Sequence, residues 1–346
     1  MLQIIRNKKG IWKRKLLSRD GEGLFVLAPM ADVTDNAFRE IVARHAAPDV
    51  LYTEFVSADG LAHPQGKKRL LRDLDFTKKQ QKSAPIIAQI FSGNPDNIRQ
   101  AAKLVQSLGF DGIDINTGCP SRNITKQLCG SELIKRENRE LAGQLIQAVK
   151  EGAPKLDVAV KTRLGWSDID MSWIEFLLQQ NIDVLTVHLR TRKEMSKVSA
   201  HWELMTEIRE MRDKIAPDTI LLGNGDINTL SEARSKVQEH GIDGVMIGRG
   251  IFKNPLIFDA DREPTIRERY MLLKEHITLF EANFGPTKRN MKEFGKSIKS
   301  FYLMKKFLKV YINNFPGAKD IRTELMQINN PQDLLEEVDR KLKKLN

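Results

Sequence analysis

The sequence predicts an α/β protein: a (β/α)8 TIM barrel followed by a C-terminal all-α helical domain. Three observations predict it. Eight short, β-branched, nearly continuous apolar runs lie between Leu24 and Ile247, the pattern of parallel strands covered on both faces. Segments with helical periodicity separate them. After Thr265 the strand-like runs stop and only helical periodicity remains. This length suits a barrel, whose usual size is about 250 residues. A doubly wound sheet, the competing arrangement, rarely needs so many regularly spaced parallel strands.

Taken in order, the predicted strands are Leu24–Leu27, Val50–Tyr52, Pro85–Ile90, Gly112–Ile115, Val158–Thr162, Val184–His188, Ile220–Gly223 and Gly244–Ile247. The helix Asn94–Leu108 starts at Asn94-Pro95-Asp96 and puts Ile98, Ala101, Ala102, Leu104, Val105 and Leu108 on one face. Arg139–Glu151 is a second helix, and Ser231–His240 a third that stops at Gly241. Beyond the barrel, Tyr270–Phe284, Met291–Asn314 and Pro331–Leu345 read as helices, broken at Gly285-Pro286 and Phe315-Pro316-Gly317. The resulting division is a basic N-terminal extension over 1–20, a barrel over 21–262 and a helical domain over 263–346.

Composition narrows the function classes. The 346 residues are 41% hydrophobic and 29% charged, ordinary for a globular protein, with no apolar run long enough to cross a bilayer. The basic N-terminus lacks the apolar core of a secretory signal. Two cysteines exclude a disulfide framework and fit a reducing cytoplasm, and the six histidines show no zinc-ligand spacing, so no metal is expected. Net charge is +11, and from Arg262 onward 18 basic residues face 11 acidic ones. Between Lys288 and Lys309 eight basic residues face only Glu293. Arg6, Lys8, Lys9, Lys13, Arg14, Lys15 and Arg19 form a second group without an acid. Clustered cations at both chain ends favour a polyanionic partner, although a lone charge run is more often a solvated helix face.

Barrel enzymes collect their chemistry at the C-terminal ends of strands. The ends here carry Pro29, Met30 and Ala31; Glu54; Gln89; Asn116 and Cys119; Lys161 and Arg163; His188, Arg190 and Arg192; Asn224, Gly225 and Asp226; and Gly248 and Arg249. Cys119 follows the abrupt strand stop Asn116-Thr-Gly-Cys-Pro120, and reads either as a reactive thiol or as a small buried apolar residue. Singly, each polar residue could be a cap or a paired core group; their convergence on one mouth is harder to dismiss. The glycine turns at Gly225 and Gly248 suit a phosphate cradle supplemented by a helix N-terminus and Arg249. Lys161 could hold the electron-rich edge of a flavin. Glycines alone leave a flavin mononucleotide (FMN) and a sugar phosphate both open.

Together these segments resemble the tRNA-dihydrouridine synthase family, closest to its bacterial B-type. The resemblance rests on Ala28-Pro29-Met30-Ala31 with Thr34-Asp35, Ala88-Gln89-Ile90, Asp114-Ile115-Asn116 through Cys119-Pro120, and Leu128-Cys129-Gly130-Ser131. It continues in Lys161-Thr162-Arg163, His188 with Arg190-Thr191-Arg192, Asn224-Gly225-Asp226 and Ile247-Gly248-Arg249. Thr117, Leu189 and Cys129 depart from the usual pattern, and Cys129 reads as structural. The resemblance implies an FMN-dependent reduction of the C5=C6 bond of uridines in tRNA, with NADPH or NADH as reductant. It implies that Pro29, Met30, Ala31, Gln89, Lys161, His188, Asn224, Gly225, Asp226, Gly248 and Arg249 bind the cofactor. Asn116, Arg163 and Arg190 would meet the substrate, and Cys119 would be the general acid. A cytoplasmic monomer that binds tRNA through the helical domain is expected. The alternatives are a flavin barrel oxidoreductase acting on a free pyrimidine or other small molecule, and an RNA-binding protein on an inactive barrel.

Overall fold

The computed structural model describes residues 10–260 and 262–345. Its strands are β1 (Leu24–Leu27), β2 (Leu51–Ser57), β3 (Ile86–Phe91), β4 (Gly112–Asn116), β5 (Asp157–Gly165), β6 (Val184–Thr191), β7 (Ile220–Asn224) and β8 (Gly244–Ile247). All pair in parallel in the order β1-β8-β7-β6-β5-β4-β3-β2. An isolated bridge from Val26 to Val50, with Leu27 N donating to Val50 O at 3.1 Å, joins the two edge strands into a barrel. The predicted eight-stranded barrel is therefore present. β2, β5 and β6 run several residues past their predicted ends, because β3 continues beside β2 as far as Ser57–Phe91 and β5 and β6 continue beside each other as far as Gly165–Thr191.

Alternate residues of each strand face the barrel axis. Leu24, Val26, Tyr52, Ile87, Ala159, Val184, Leu222 and Met246 form the apolar inner packing. One step further toward the strand ends the same rows turn polar, at Gln89, Asn116, Lys161, His188 and Asn224. Register aligns them: Asn116 pairs with Lys161, Arg163 with His188, and His188 with Asn224. The change from apolar to polar within one row fixes the depth of the mouth.

The opposite end is closed by part of the expected N-terminal extension. Ile11–Leu17 is a helix, and its Trp12 is only 1% exposed, packed within the inner cluster. The Asp157 carboxylate accepts from Gly10 N at 2.6 Å and from Trp12 N at 3.3 Å, and Lys13 reaches Asp218 at 2.5 Å. The expectation of 1–20 as an extension separate from the barrel is thus corrected for this helix, which stands at the far end of the strands from the mouth. The remaining basic residues at 6, 8 and 9 lie outside the described residues.

The C-terminal region is helical: Ile266–Phe284, Lys288–Phe294, Phe301–Lys305, Leu308–Tyr311, Ala318–Gln327 and Pro331–Lys343. The first opens with a capping box between Thr265 and Glu268. The single helix expected over Met291–Asn314 is instead three short ones. Gly295, at φ 68°, ends the first in a left-handed turn, and the Ser300 hydroxyl caps the next. Ile266–Phe284 lies against the barrel helix Asn36–His45. Phe38 packs 5.6 Å from His276 and 5.1 Å from Phe307 between ring centroids, and Arg44 pairs with Glu275 at 2.7 Å. No described helix is long and apolar enough to cross a membrane.

Candidate active site

A cavity of about 650 Å³ opens at the C-terminal ends of the strands. Its lining includes Pro29, Met30, Ala31, Gln89, Asn116, Cys119, Lys161, Arg163, His188, Asn224, Gly225, Asp226, Gly248 and Arg249. Of the strand-end residues singled out from the sequence, all but Glu54, Arg190 and Arg192 therefore face this space. Phe55, Asn228 and Lys253 also line it and were missed. Phe55 sits in the unpredicted extension of β2, and Lys253 follows a four-residue turn whose direction no periodicity reveals.

Asn116 sets the Cys119 loop. Its Oδ1 accepts from Gly118 N at 3.1 Å and Cys119 N at 2.9 Å, and its Nδ2 donates to Gln89 Oε1 at 3.0 Å. Gln89 in turn donates to Asp114 Oδ2 at 2.6 Å. Both terminal atoms of Gln89 thus have protein partners, leaving one N–H and one lone pair for a ligand. Arg163 donates to Gly118 O at 2.8 Å, Thr191 O at 3.1 Å and Met195 O at 3.0 Å, clamping three loops at the rim. Cys129 is fully buried against Phe91 and Ile124, with its thiol donating to Gln127 O at 3.1 Å. Burial holds that thiol up at about 12, which suits the structural reading.

The mouth is electrostatically unbalanced. Burial, then the neighbouring Arg163, brings the Lys161 ammonium down to about 8, against the pull of Asp114 and Cys119. Burial lowers Arg163 to about 10. His188 falls well below its ordinary value through burial and the charges of Lys161, Arg163, Arg190 and Arg249, so its imidazole is neutral. Burial raises the Cys119 thiol despite a hydrogen bond from the Ser121 backbone and the two nearby cations. Asp114, buried beneath the cavity, is pushed up to about 7. Neither Lys161 nor Arg163 forms an ion pair with a carboxylate among the described residues, and an anionic ligand would supply one.

Arg190 is corrected as a direct substrate contact. It is 1% exposed and lies behind the wall, bonded to the Asp226 carboxylate, to Val198 O at 2.7 Å and to His188 Nε2 at 3.2 Å. It thereby neutralises Asp226, the one carboxylate on the lining among the described residues, and holds one edge of His188. The anion cradle also differs from expectation. The helix after β7, Leu230–His240, begins with its own cap, Thr229 accepting from Glu232 N, and only a short 3-10 turn follows β8. Turn backbone, Arg249 and Lys253 are left to bind an anion. Gly225 stands at φ 137°, and a β-carbon there would come within 2.7 Å of the Ala200 β-carbon. Glycine turns at Gly225 and Gly248 beside Arg249 and Lys253, on the wall of the polar cavity, fit a phosphate-bearing flavin.

Next to this cavity, at the seam between barrel and helices, lies another of about 660 Å³. It shares Arg249 and Lys253 with the first and adds Lys306, Lys309 and Arg322. The predicted Lys288–Lys309 cluster therefore divides. Lys299 and Lys305 are turned inward, Lys305 donating to Met326 O at 2.8 Å and Asn329 Oδ1 at 2.7 Å. Lys306 and Lys309 face the groove.

A parallel barrel with a polar, cation-lined mouth and an attached helical region is the frame of a barrel enzyme, and the comparisons place it more closely. The family model described as dihydrouridine synthase matches residues 26–346. A probable tRNA-dihydrouridine synthase of Staphylococcus aureus is 42% identical over 315 residues, covering 90% of each chain. The probable tRNA-dihydrouridine synthase 2 of Bacillus subtilis is 41% identical over 324 residues, covering 92% of this chain and 94% of the other. The chain belongs to the dihydrouridine synthase family. Among solved structures, a morphinone reductase variant in complex with tetrahydroNAD shares the fold, at a TM-score of 0.50 and 13% identity, over 68% of this chain and 85% of its own.

Proposed function

We propose that this protein is an FMN-dependent tRNA-dihydrouridine synthase. It would reduce the C5=C6 bond of specific tRNA uridines, with NADPH or NADH as the reductant and Cys119 as proton donor to C5. The observation that carries the reading is the common cavity of the Cys119 thiol, the buried Lys161 ammonium and the Gly225–Arg249 anion cradle. Pro29, Met30, Ala31, Gln89, His188 and Lys161 would hold the flavin ring. Asn224, Gly225, Asp226, Gly248, Arg249 and Lys253 would surround its phosphate. The bound flavin would supply the hydride that C6 receives.

The protein's own part is to place the base and provide a proton. A uridine must leave its stack to enter the cavity, at a cost of a few kcal/mol that backbone contacts offset. Asn116 and Arg163 flank the position it would take. As C6 gains hydride, charge develops toward C5 and O4, and the Cys119 Sγ–H bond breaks to give its proton to C5. A thiol raised by burial is protonated at neutral pH, the state a general acid needs, and solvent restores the proton. The adjoining basic groove, with Lys306, Lys309 and Arg322, is the proposed path for the RNA backbone. It favours tRNA over a free pyrimidine, which would have no use for it. We place the activity in the cytoplasm, on a monomer.

The test is mass mapping of dihydrouridine in tRNA from cells with and without this protein, alongside purified protein acting on unmodified tRNA. Dihydrouridine at defined positions that disappears with the protein is the expected result. Unchanged tRNA together with turnover of free pyrimidine would replace the proposal by the small-molecule reading.

A further inference from the structure

The rim of the mouth formed by the loops after β4, β5 and β6 carries an arginine whose partners are missing. Arg192 follows β6, and its guanidinium lies 4.7 Å from the Trp166 ring centroid. Its Nε is buried without a hydrogen-bond partner, and no ion pair of Arg192 occurs among the described residues. Trp166 holds Lys135 as well, at 4.3 Å from its ring. The backbone is pinned beneath them, Arg192 N donating to Gly165 O at 2.8 Å and Lys193 N to Trp166 O at 2.9 Å. An arginine held by stacking rather than by a carboxylate keeps its donor edge for a ligand, already oriented.

The position connects this arginine to the cavity. Thr191, the preceding residue, accepts from cavity-lining Arg163 at 3.1 Å, and Met195 just beyond accepts from the same guanidinium at 3.0 Å. Lys193 and Lys197 are exposed on that loop, as are Met195, at 43%, and Val198, at 42%. Cations interleaved with an aromatic ring and apolar side chains form the surface on which single-stranded RNA lies. The groove at the helical region occupies a different part of the rim and uses none of these residues.

We propose that the Trp166–Arg192 rim is a second RNA-docking surface, where Arg192 holds a backbone phosphate next to the nucleotide that enters the cavity. This rests on the tRNA reading above and deepens it: the strand is gripped on both sides of the everted base. A single phosphate contact is worth about 0.7 of salt slope on a single strand and about 0.9 on a duplex.

The experiment compares the parent holoenzyme with Arg192→Gln, Arg192→Lys and Trp166→Leu. It measures KM for tRNA, the salt dependence of tRNA binding, and flavin content and melting temperature as checks of folding. Arg192→Gln is expected to raise KM about tenfold and to lower the slope of log K against log salt by about 0.7 to 1. Arg192→Lys should recover most of the slope, since it restores the charge. Trp166→Leu should raise KM by releasing the guanidinium. Folded Arg192→Gln protein with parental KM and slope would overturn the rim while leaving the tRNA reading intact. A parent that forms no dihydrouridine would overturn both. Should Arg192→Gln lose its flavin, the Arg192→Lys and Trp166→Leu pair decides: parental KM in both refutes the contact.

Discussion

The barrel mouth and the seam with the helical region each bury a lysine, and they surround it differently. At the seam, Lys299 Nζ lies 2.5 Å from Glu54, 3.6 Å from Asp35 and 4.0 Å from Asp73. Those three acids raise its pKa despite burial, while Asp73 itself is driven up to about 6, chiefly by burial. At the mouth, Lys161 is lowered to about 8, first by burial and then by Arg163, against the pull of Asp114. The seam lysine is satisfied by the protein. The mouth lysine has no ion pair among the described residues, and under the proposed function a bound anion would supply one. Compensated burial marks architecture, and uncompensated burial marks a site.

Substitutions can break that contrast, and the largest effect belongs to the mouth. Cys119→Ala should retain flavin absorbance and melting temperature yet lose turnover by about a hundredfold to ten-thousandfold, the usual worth of a general acid. Steady-state dihydrouridine formation reads it, and full activity would remove the thiol from the mechanism. Lys299→Met should do the reverse. Stranding Glu54, Asp35 and Asp73 should cost about 3–5 kcal/mol of stability, seen in denaturant unfolding. An unchanged midpoint would show that the seam cluster holds nothing together.

Lys161→Met should weaken flavin binding by about tenfold to a hundredfold, measured by equilibrium dialysis, without the destabilisation seen at Lys299. Replacing Lys306 and Lys309 together with alanine should reduce the salt slope of tRNA binding by about 1.5 to 2. An unaltered slope would move the RNA path elsewhere. The smallest effect is a pH effect. Lys161 binds its proton less tightly folded than unfolded, so the unfolded state holds more protons between about 8 and 10.5. Flavin-stripped protein should therefore gain stability as pH rises through that window, and Lys161→Met should lack the gain.

The strands and the mouth were legible in the sequence because both depend on local order. Parallel strands are short apolar runs, and the polar residue that ends each run must emerge at the same face. Thus Gln89, Asn116, Lys161, His188 and Asn224 could be placed by counting. Charge pairing is not local. Lys299 and Lys305 look like members of a solvated basic run, yet Lys299 meets Glu54 across 245 positions. Arg190 and His188 are two residues apart on one strand; the turn of Arg190 toward Asp226 depends on a loop 36 positions away. Trp12 was hidden for the same reason, inside a segment whose basic residues dominated its appearance.

That tryptophan has a consequence for biosynthesis. The amides of Gly10 and Trp12 are anchored on Asp157, which emerges from the ribosome nearly half a chain later. The helix Ile11–Leu17 must therefore wait, its indole unsheltered, until the fifth strand exists to receive it. A chaperone that recognises exposed aromatic segments would meet this one early, and bulky fusions ahead of residue 10 should slow maturation without touching the finished catalyst.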